Sequence, residues 1–297
     1  ELGRRALVAD IASVTTDLMF LGRLLESLSF DADVAEGRRR YLAEVFVTFA
    51  REKGLYVQIR FIDLRGQEGH RFAVAFTVEM DHGNLGTAPE GPTLMESAQQ
   101  YLEAGAIAVQ IAVCLRRLGW KAEAHIDANY RVVCPLVARD AGLGEIGRMG
   151  LLMTPELGPR VRIAVVTTDL PLQPSPRRGD PTVLHFCGIC RKCADVCPPR
   201  AIPDAGPVSI DGVMRWRVDQ EACFAYWCAM GTDCGQCMKV CPYSHPDTAL
   251  HNLVRCGLRR SGLFRHLALR MDDLLYGRRP GPLAPPPWLP DRRSASD

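Results

Sequence analysis

The sequence predicts an α/β domain over residues 1–180, a bacterial two-cluster ferredoxin domain over 181–246, and C-terminal helices with a proline-rich tail over 247–297. Three observations lead there. Through the first part of the chain, hydrophobic residues recur now at steps of three and four, now at steps of two, as in helices alternating with strands. Two cysteine runs, each closing on C-x3-C-P, crowd residues 187–242. Between the two parts, Pro171, Pro174 and Pro176 mark a linker.

Residues 5–29 and 34–53 read as helices and make a helical N-terminal part over 1–54. Leu7, Ile11, Val14, Leu18, Leu21 and Leu25 give the first its apolar stripe. YVQIRFID (56–63) and RFAVAFTVE (71–79) alternate as half-buried strands do, and DHGNLGTAPEGP reads as a loop from its Gly and Pro content. A long amphipathic helix follows over 93–120, with Thr93 and Glu96 as a capping box and Gly119 at its end. KAEAHID and RVRIAVVTTDL (160–170) read as strands. After Pro246 come one or two helices whose Arg255, Arg259, Arg260, Arg265 and Arg270 read as a solvated face. The last stretch, RRPGPLAPPPWLPDRRSASD, reads as an extended or disordered arm.

Composition narrows the function classes. The chain has 297 residues, 47% of them hydrophobic, enough for a sizeable core. A net charge of +2 argues against a protein built as a whole to bind nucleic acid. No apolar run reaches the length of a membrane-spanning helix. GRRALVADIA is similar to a twin-arginine export signal, but Asp10 and Asp17 interrupt its apolar stretch and no A-x-A follows, so it reads as the start of a helix. The first residue is Glu, so the natural start is expected to lie upstream. The expected compartment is the cytoplasm, with export on a removed leader as the alternative.

Twelve cysteines without a secretory signal point to metal before disulfides. CGICRKCADVCP places Cys187, Cys190, Cys193 and Cys197 at the C-x2-C-x2-C-x3-C-P spacing. Three thiolates at that spacing wrap three corners of a [4Fe-4S] cube, while the fourth is carried away to a second cube. CFAYWCAMGTDCGQCMKVCP then supplies Cys223, Cys228, Cys234, Cys237 and Cys241. By the crossed pattern, cluster one takes Cys187, Cys190, Cys193 and Cys241; cluster two takes Cys197, Cys234, Cys237 and either Cys223 or Cys228. Paired zinc sites need neither the third C-x2-C step nor the trailing C-P. Cys114, Cys134 and Cys256 read as small buried hydrophobes. Two cubes make a wire for single electrons without naming the acceptor.

One further motif competes for attention. AGLGEIGRMG (141–150) holds Gly142, Gly144 and Gly147 in the order of a dinucleotide-binding G-x-G-x-x-G, and Asp169 follows where a ribose-binding acid would sit. That fingerprint needs a strand before it and a helix after it. Here CPLVARD fits a short helix, and MGLLMTPELGPR has strand and turn character. The order is reversed, so NAD binding is not expected.

With these residues in view, the chain resembles the corrinoid-dependent reductive dehalogenases. AGLGEIGRMGLLMTPELGPRVRIAVVTTDLPL (141–172) and the cysteine block with WRVDQEACFAYW carry the likeness, over about residues 93–245. Epoxyqueuosine reductase is a relative with a similar AGLG turn. The resemblance implies a nitroreductase-like α/β domain that binds cobalamin base-off, beside two [4Fe-4S] clusters. It implies that Gly142, Gly144 and Gly147 let backbone pass close to the corrinoid, since glycine lacks Cβ. It favours Cys223 over Cys228 in cluster two. It implies a tyrosine proton donor matching Tyr101 and a basic partner matching Arg162, with Arg160 the alternative. Asp127 is the alternative acid, closer to epoxyqueuosine chemistry. The implied reaction is reductive dehalogenation of an organohalide, fed by a low-potential donor such as ferredoxin or flavodoxin. The competing readings are a tRNA-modifying reductase and a non-catalytic electron-transfer subunit.

Overall fold

The computed structural model describes residues 60–63, 69–126, 129–174, 180–210, 212–231, 233–284 and 286. The helices expected at 5–29 and 34–53, the alternative acid Asp127 and most of the proline-rich arm lie outside the described residues. The strands are β1 (Arg60–Asp63), β2 (Phe72–Glu79), β3 (Ala122–His125), β4 (Glu145–Ile146), β5 (Leu152–Met153), β6 (Val161–Thr168), β7 (Val208–Ile210) and β8 (Val213–Arg215). The helices are α1 (His82–Gly86), α2 (Gly91–Arg117), α3 (Cys134–Asp140), α4 (Pro181–Cys190), α5 (Lys192–Val196), α6 (Gln220–Met230), α7 (Gln236–Lys239), α8 (Ala249–Arg260) and α9 (Gly262–Leu275), with a 3-10 turn at Pro242–Ser244. Among the described residues no helix is long and apolar enough to cross a membrane.

A four-stranded antiparallel sheet in the order β1-β2-β6-β3 forms the middle layer. Alternation along β2 sends Val74, Phe76 and Val78 to one face, where Ala104, Ala108, Ile111, Ala112 and Leu115 of α2 meet them. The three alanines let the helix lie close to the sheet. Ala73 and Ala75 point the other way, onto Val137 and Ala138 of α3 and Ile146 and Leu152 of the β4–β5 hairpin. The strand is therefore covered on both faces rather than half-buried as its alternation suggests. Fully burying a side chain such as Phe76 contributes roughly 1.5–3 kcal/mol.

The long helix begins at Gly91, with Pro92 in its first turn and no side-chain cap. Thr93 and Glu96 do not form the expected capping box. Thr93 Oγ1 donates to the Asn84 carbonyl at 2.9 Å, and Glu96 accepts from the Asp81 amide and the Asn84 side chain at 2.8 and 2.9 Å. Both residues tie down α1, a one-turn helix where the Gly and Pro content suggests a loop. Asp81 caps α1 by accepting from the Asn84 amide. The far end of α2 behaves as expected: Gly119 takes φ +88, and the Trp120 amide returns to the Leu115 carbonyl at 3.1 Å.

The third core is built on the cysteine block, where Phe186, Trp216, Met238 and Tyr243 pack with the buried thiols against Met80, Leu85 and Met153 of the α/β part. Helices α8 and α9 lie over α4. Their arginines are not one solvated face. Arg255 is buried and donates to the carbonyls of Tyr243 and His245, and Arg265 donates to the Leu258 carbonyl at 2.8 Å. Arg259, Arg260 and Arg270 are exposed, as expected.

Candidate functional site

Each cysteine run breaks its helices where the thiols must turn inward. Asp180 caps α4 by accepting from the Thr182 amide, and α4 carries Cys187 and Cys190. Arg191 at φ +59 ends it and starts α5, which carries Cys193; Cys197 follows in extended backbone. The second run repeats the device, with Cys234 at φ +36 and Gly235 at φ +66 leading into α7 and Cys237. The short helices α5 and α7 pack on each other.

The thiols fall into two groups. Cys187, Cys190, Cys193 and Cys241 line one pocket together with Met149, Phe186 and Tyr243. Burial pushes the Cys190 thiol up to about 12 and raises Cys187, Cys193 and Cys241. Cys241 is raised further by the charges Cys187, Cys190 and Cys193 would carry, which shows these four as neighbours although 241 is far from them in sequence. Burial likewise pushes Cys237 up to about 12, and Cys234, Cys223 and Cys197 add to the rise. Cys223 is raised by burial and by Cys197 and Cys234, whereas Cys228 lies exposed on α6. Buried thiols of this kind ionise only when a metal supplies the opposing charge. Among the described residues no three His, Cys, Asp or Glu side chains converge on a single point for one metal ion. Cys114, Cys134 and Cys256 are partly buried.

Two buried arginines join this block to the α/β part, and the sequence reading singled out neither for that role. Arg148, directly after the glycine turn, donates to the carbonyls of Cys187 (3.0 Å), Pro203 (2.7 Å) and Ala205 (3.1 Å) and stacks over Trp216. Arg160 donates to the Ser244 carbonyl (2.8 Å), the Met80 carbonyl (2.5 Å) and Glu79 (3.0 Å). Its donors are thus spent away from Tyr101.

The glycines have internal reasons. Gly142, at φ +84, closes α3: its amide returns to the Arg139 carbonyl at 2.9 Å and the Leu143 amide to Ala138 at 3.0 Å. A Cβ on Gly144 would lie 2.2 Å from the Met153 carbonyl oxygen, and one on Gly147 would lie 2.8 Å from Met153 Cγ and 3.6 Å from Cys187 Sγ. A helix precedes the turn and a strand follows, the reverse of a dinucleotide fold.

Tyr101 and Arg162 come together. The Arg162 guanidinium lies over the Tyr101 ring, 4.4 Å from its centroid. Its Nη2 donates to Asp233 Oδ2 at 2.8 Å and to the Ser97 hydroxyl, which in turn donates to Asp233. The basic group thus meets the ring face and is paired to a carboxylate from the cysteine loop. Ser97, four residues before Tyr101 on α2, is a spacing readable in the sequence. Asp233 carries no such signal; it reads as part of a turn.

Comparison with known proteins bears on the whole arrangement. Residues 186–245 match the 4Fe-4S dicluster domain family. A tetrachloroethene reductive dehalogenase of Desulfitobacterium hafniense is 36% identical over 194 residues, covering 61% of this chain and 34% of that protein. The catabolic reductive dehalogenase NpRdhA, solved with 3-bromo-4-hydroxybenzoic acid, superposes with a TM-score of 0.69 at 28% identity, over 74% of this chain and 34% of that one. Over the part that matches, the chain is similar to the reductive dehalogenase family. The family's mixed α/β layer and 4Fe-4S dicluster domain are the two parts expected from sequence. An epoxyqueuosine reductase of Synechococcus is also similar, 31% identical over 149 residues, or 44% of each chain. The chain spans about a third of the length of the dehalogenases it matches.

Proposed function

We propose that this chain is a cobalamin- and iron–sulfur-dependent reductase that removes halide from an organohalide, with residues 1–180 holding corrinoid and substrate and 181–246 relaying electrons. The observation that carries it is the junction where the cysteine loop, through Asp233, meets the Arg162–Tyr101 pair. Cys187, Cys190, Cys193 and Cys241 hold one [4Fe-4S] cluster; Cys197, Cys223, Cys234 and Cys237 hold the other. The donor set suits cubes, since soft thiols each take one iron, and all but the half-buried Cys223 and Cys237 are buried. A low-potential ferredoxin or flavodoxin suits such clusters as donor.

For the corrinoid, the fit rests on polar atoms without partners. Gln100 Oε1 and Arg162 Nε are buried and unpaired among the described residues, an acceptor and a donor of the kind a corrin's rim amides complement. The 142–147 turn contributes backbone only, because Met153 fills the space at Gly144 and Gly147. When bound, the corrinoid supplies low-valent cobalt, the reductant for a carbon–halogen bond. Tyr101 then donates the proton that replaces halide on carbon, and Arg162 over its ring stabilises the phenolate left behind.

Anaerobic reconstitution with iron, sulfide and cobalamin tests the reading. About eight iron atoms and one corrinoid per chain are expected, with halide released from 3-bromo-4-hydroxybenzoic acid, the ligand of the solved relative, under a strong reductant. Protein carrying only zinc, or two clusters without corrinoid, would reduce the chain to another metal protein or to an electron-transfer subunit. Salt-sensitive tRNA binding would favour the epoxyqueuosine-type reading.

A further inference from the structure

Asp233 directly precedes Cys234 in the turn GTDCGQC. Its carboxylate turns inward and takes hydrogen bonds from two elements at once: Arg162 Nη2 on β6 at 2.8 Å, and the Ser97 hydroxyl on α2. The pair is largely buried, with 10% of the Arg162 side chain and 14% of Asp233 exposed. Arg162 in turn covers the Tyr101 ring. The turn itself is tightly set. Cys234 sits at φ +36, and a Cβ on Gly235 would come within 2.7 Å of Thr93 Cγ2. The backbone that presents Cys234 and Cys237 therefore also fixes where the Asp233 charge lies.

We infer that Asp233 is a positioning residue that links the cluster-two loop to the Arg162–Tyr101 pair. The link rests on the functional reading above, in which Cys234 holds a cluster and Tyr101 donates a proton. Its physical content is charge. A carboxylate one residue from a ligating cysteine opposes one-electron reduction of that cluster, because reduction adds negative charge beside it. Arg162, 71 residues away in sequence, offsets that field and is held under Tyr101 by the same contact. The low exposure of both side chains keeps the field from being screened away.

Potentials test the link without needing a substrate. The whole chain, reconstituted anaerobically, is titrated with EPR detection of each cluster, in four versions beside the unchanged protein: Asp233→Asn, Arg162→Leu, both together, and Tyr101→Phe. Asp233→Asn should raise the potential of one cluster, and Arg162→Leu should lower that of the same cluster. The double variant should return close to the unchanged value, and Tyr101→Phe should leave it unmoved. Fully loaded Asp233→Asn with both potentials unchanged overturns the link. Should Asp233→Asn fail to hold iron, Arg162→Leu, whose cysteine loop is intact, decides alone, and an unmoved potential overturns it. Turnover of 3-bromo-4-hydroxybenzoic acid adds a second arm. Asp233→Asn should lower kcat about tenfold with KM little changed, the sign of a contact that matters in the transition state. Slow Tyr101→Phe beside full-speed Asp233→Asn overturns the link while sparing the proton donor; full speed in both overturns the donor, and the potentials still judge the link.

Discussion

A phenol is a poor acid at neutral pH, since its ordinary pKa is about 10. In the proposed reaction Tyr101 would be the donor, and the cation 4.4 Å from its ring centroid would favour the phenolate that proton transfer leaves. Tyr101→Phe removes one oxygen and keeps the ring against Arg162, so iron and corrinoid content should be unchanged while turnover falls roughly 10²–10⁴-fold; unaltered turnover with full cofactors would take Tyr101 out of the reaction. A second residue makes its prediction through pH. His125 is buried; its Nδ1 accepts from the Arg131 amide at 3.2 Å, which leaves Nε2 to donate to Thr167 Oγ1 at 2.9 Å. Burial lowers its pKa, Glu123 pulls the other way, and His70 and Arg131 deepen the depression. The unfolded ring takes a proton near pH 6.5, the folded ring only at lower pH. Its contribution is therefore complete above about pH 6.5 and is lost as pH falls from there towards the folded pKa. The fall in Tm between pH 7.5 and 5.5 should be smaller in His125→Gln, and equal falls would acquit His125. At this scale the sequence, aided by the family resemblance, pairs Tyr101 with Arg162. Asp233 stays hidden because a turn residue shows its partner only once β6 and α2 are packed.

Helix geometry decides between the two loop cysteines. Cys223 and Cys228 are five residues apart on α6, so they project about 140° from each other. Only one can face Cys197, Cys234 and Cys237, and Cys223 does. Cys223→Ala should lose about half of the iron, whereas Cys228→Ala should keep both clusters in EPR and iron analysis; the opposite pattern would assign the ligand to Cys228. Other elements were legible to different degrees. The long strands and α2 announce themselves by period and by Gly119, since burial repeats along them. The β7–β8 hairpin went unread although Asp211-Gly212 sits between VSI and VMR, a strong two-residue turn signal. The strand pattern there is short, and Val208 and Met214 are exposed, so no core periodicity advertises it. Helix α1 was masked by its glycines; it forms because Thr93 and Glu96 of the next helix hold it from outside.

At the scale of the whole molecule, what matters is that the cysteine block and the sheet are riveted rather than tethered. The proline linker suggests two parts that could move apart. Arg148 contradicts that independence: it is almost fully buried, and its guanidinium is shared among carbonyls at the start of the first cysteine run and just beyond its end, with Trp216 stacked beneath. A buried guanidinium with its donors satisfied holds its acceptors in place, and removing it strands the buried Cys187 carbonyl at about 1–3 kcal/mol before relaxation, while the other acceptors lie nearer to solvent. Nothing in GRMG distinguishes this arginine from a surface one, because its acceptors are backbone atoms that any sequence would supply. Arg148→Met keeps much of the volume and removes every donor. In the unchanged protein, iron–sulfur absorbance and far-UV helix signal should be lost together in denaturant, as one cooperative unit. In Arg148→Met the iron signal should go first, at lower denaturant, while the β2–β6 sheet with α2 on its face persists. Coincident loss of both signals at an unshifted midpoint would mean that the apolar contacts of Met149, Met153 and Phe186 hold the two parts together without Arg148.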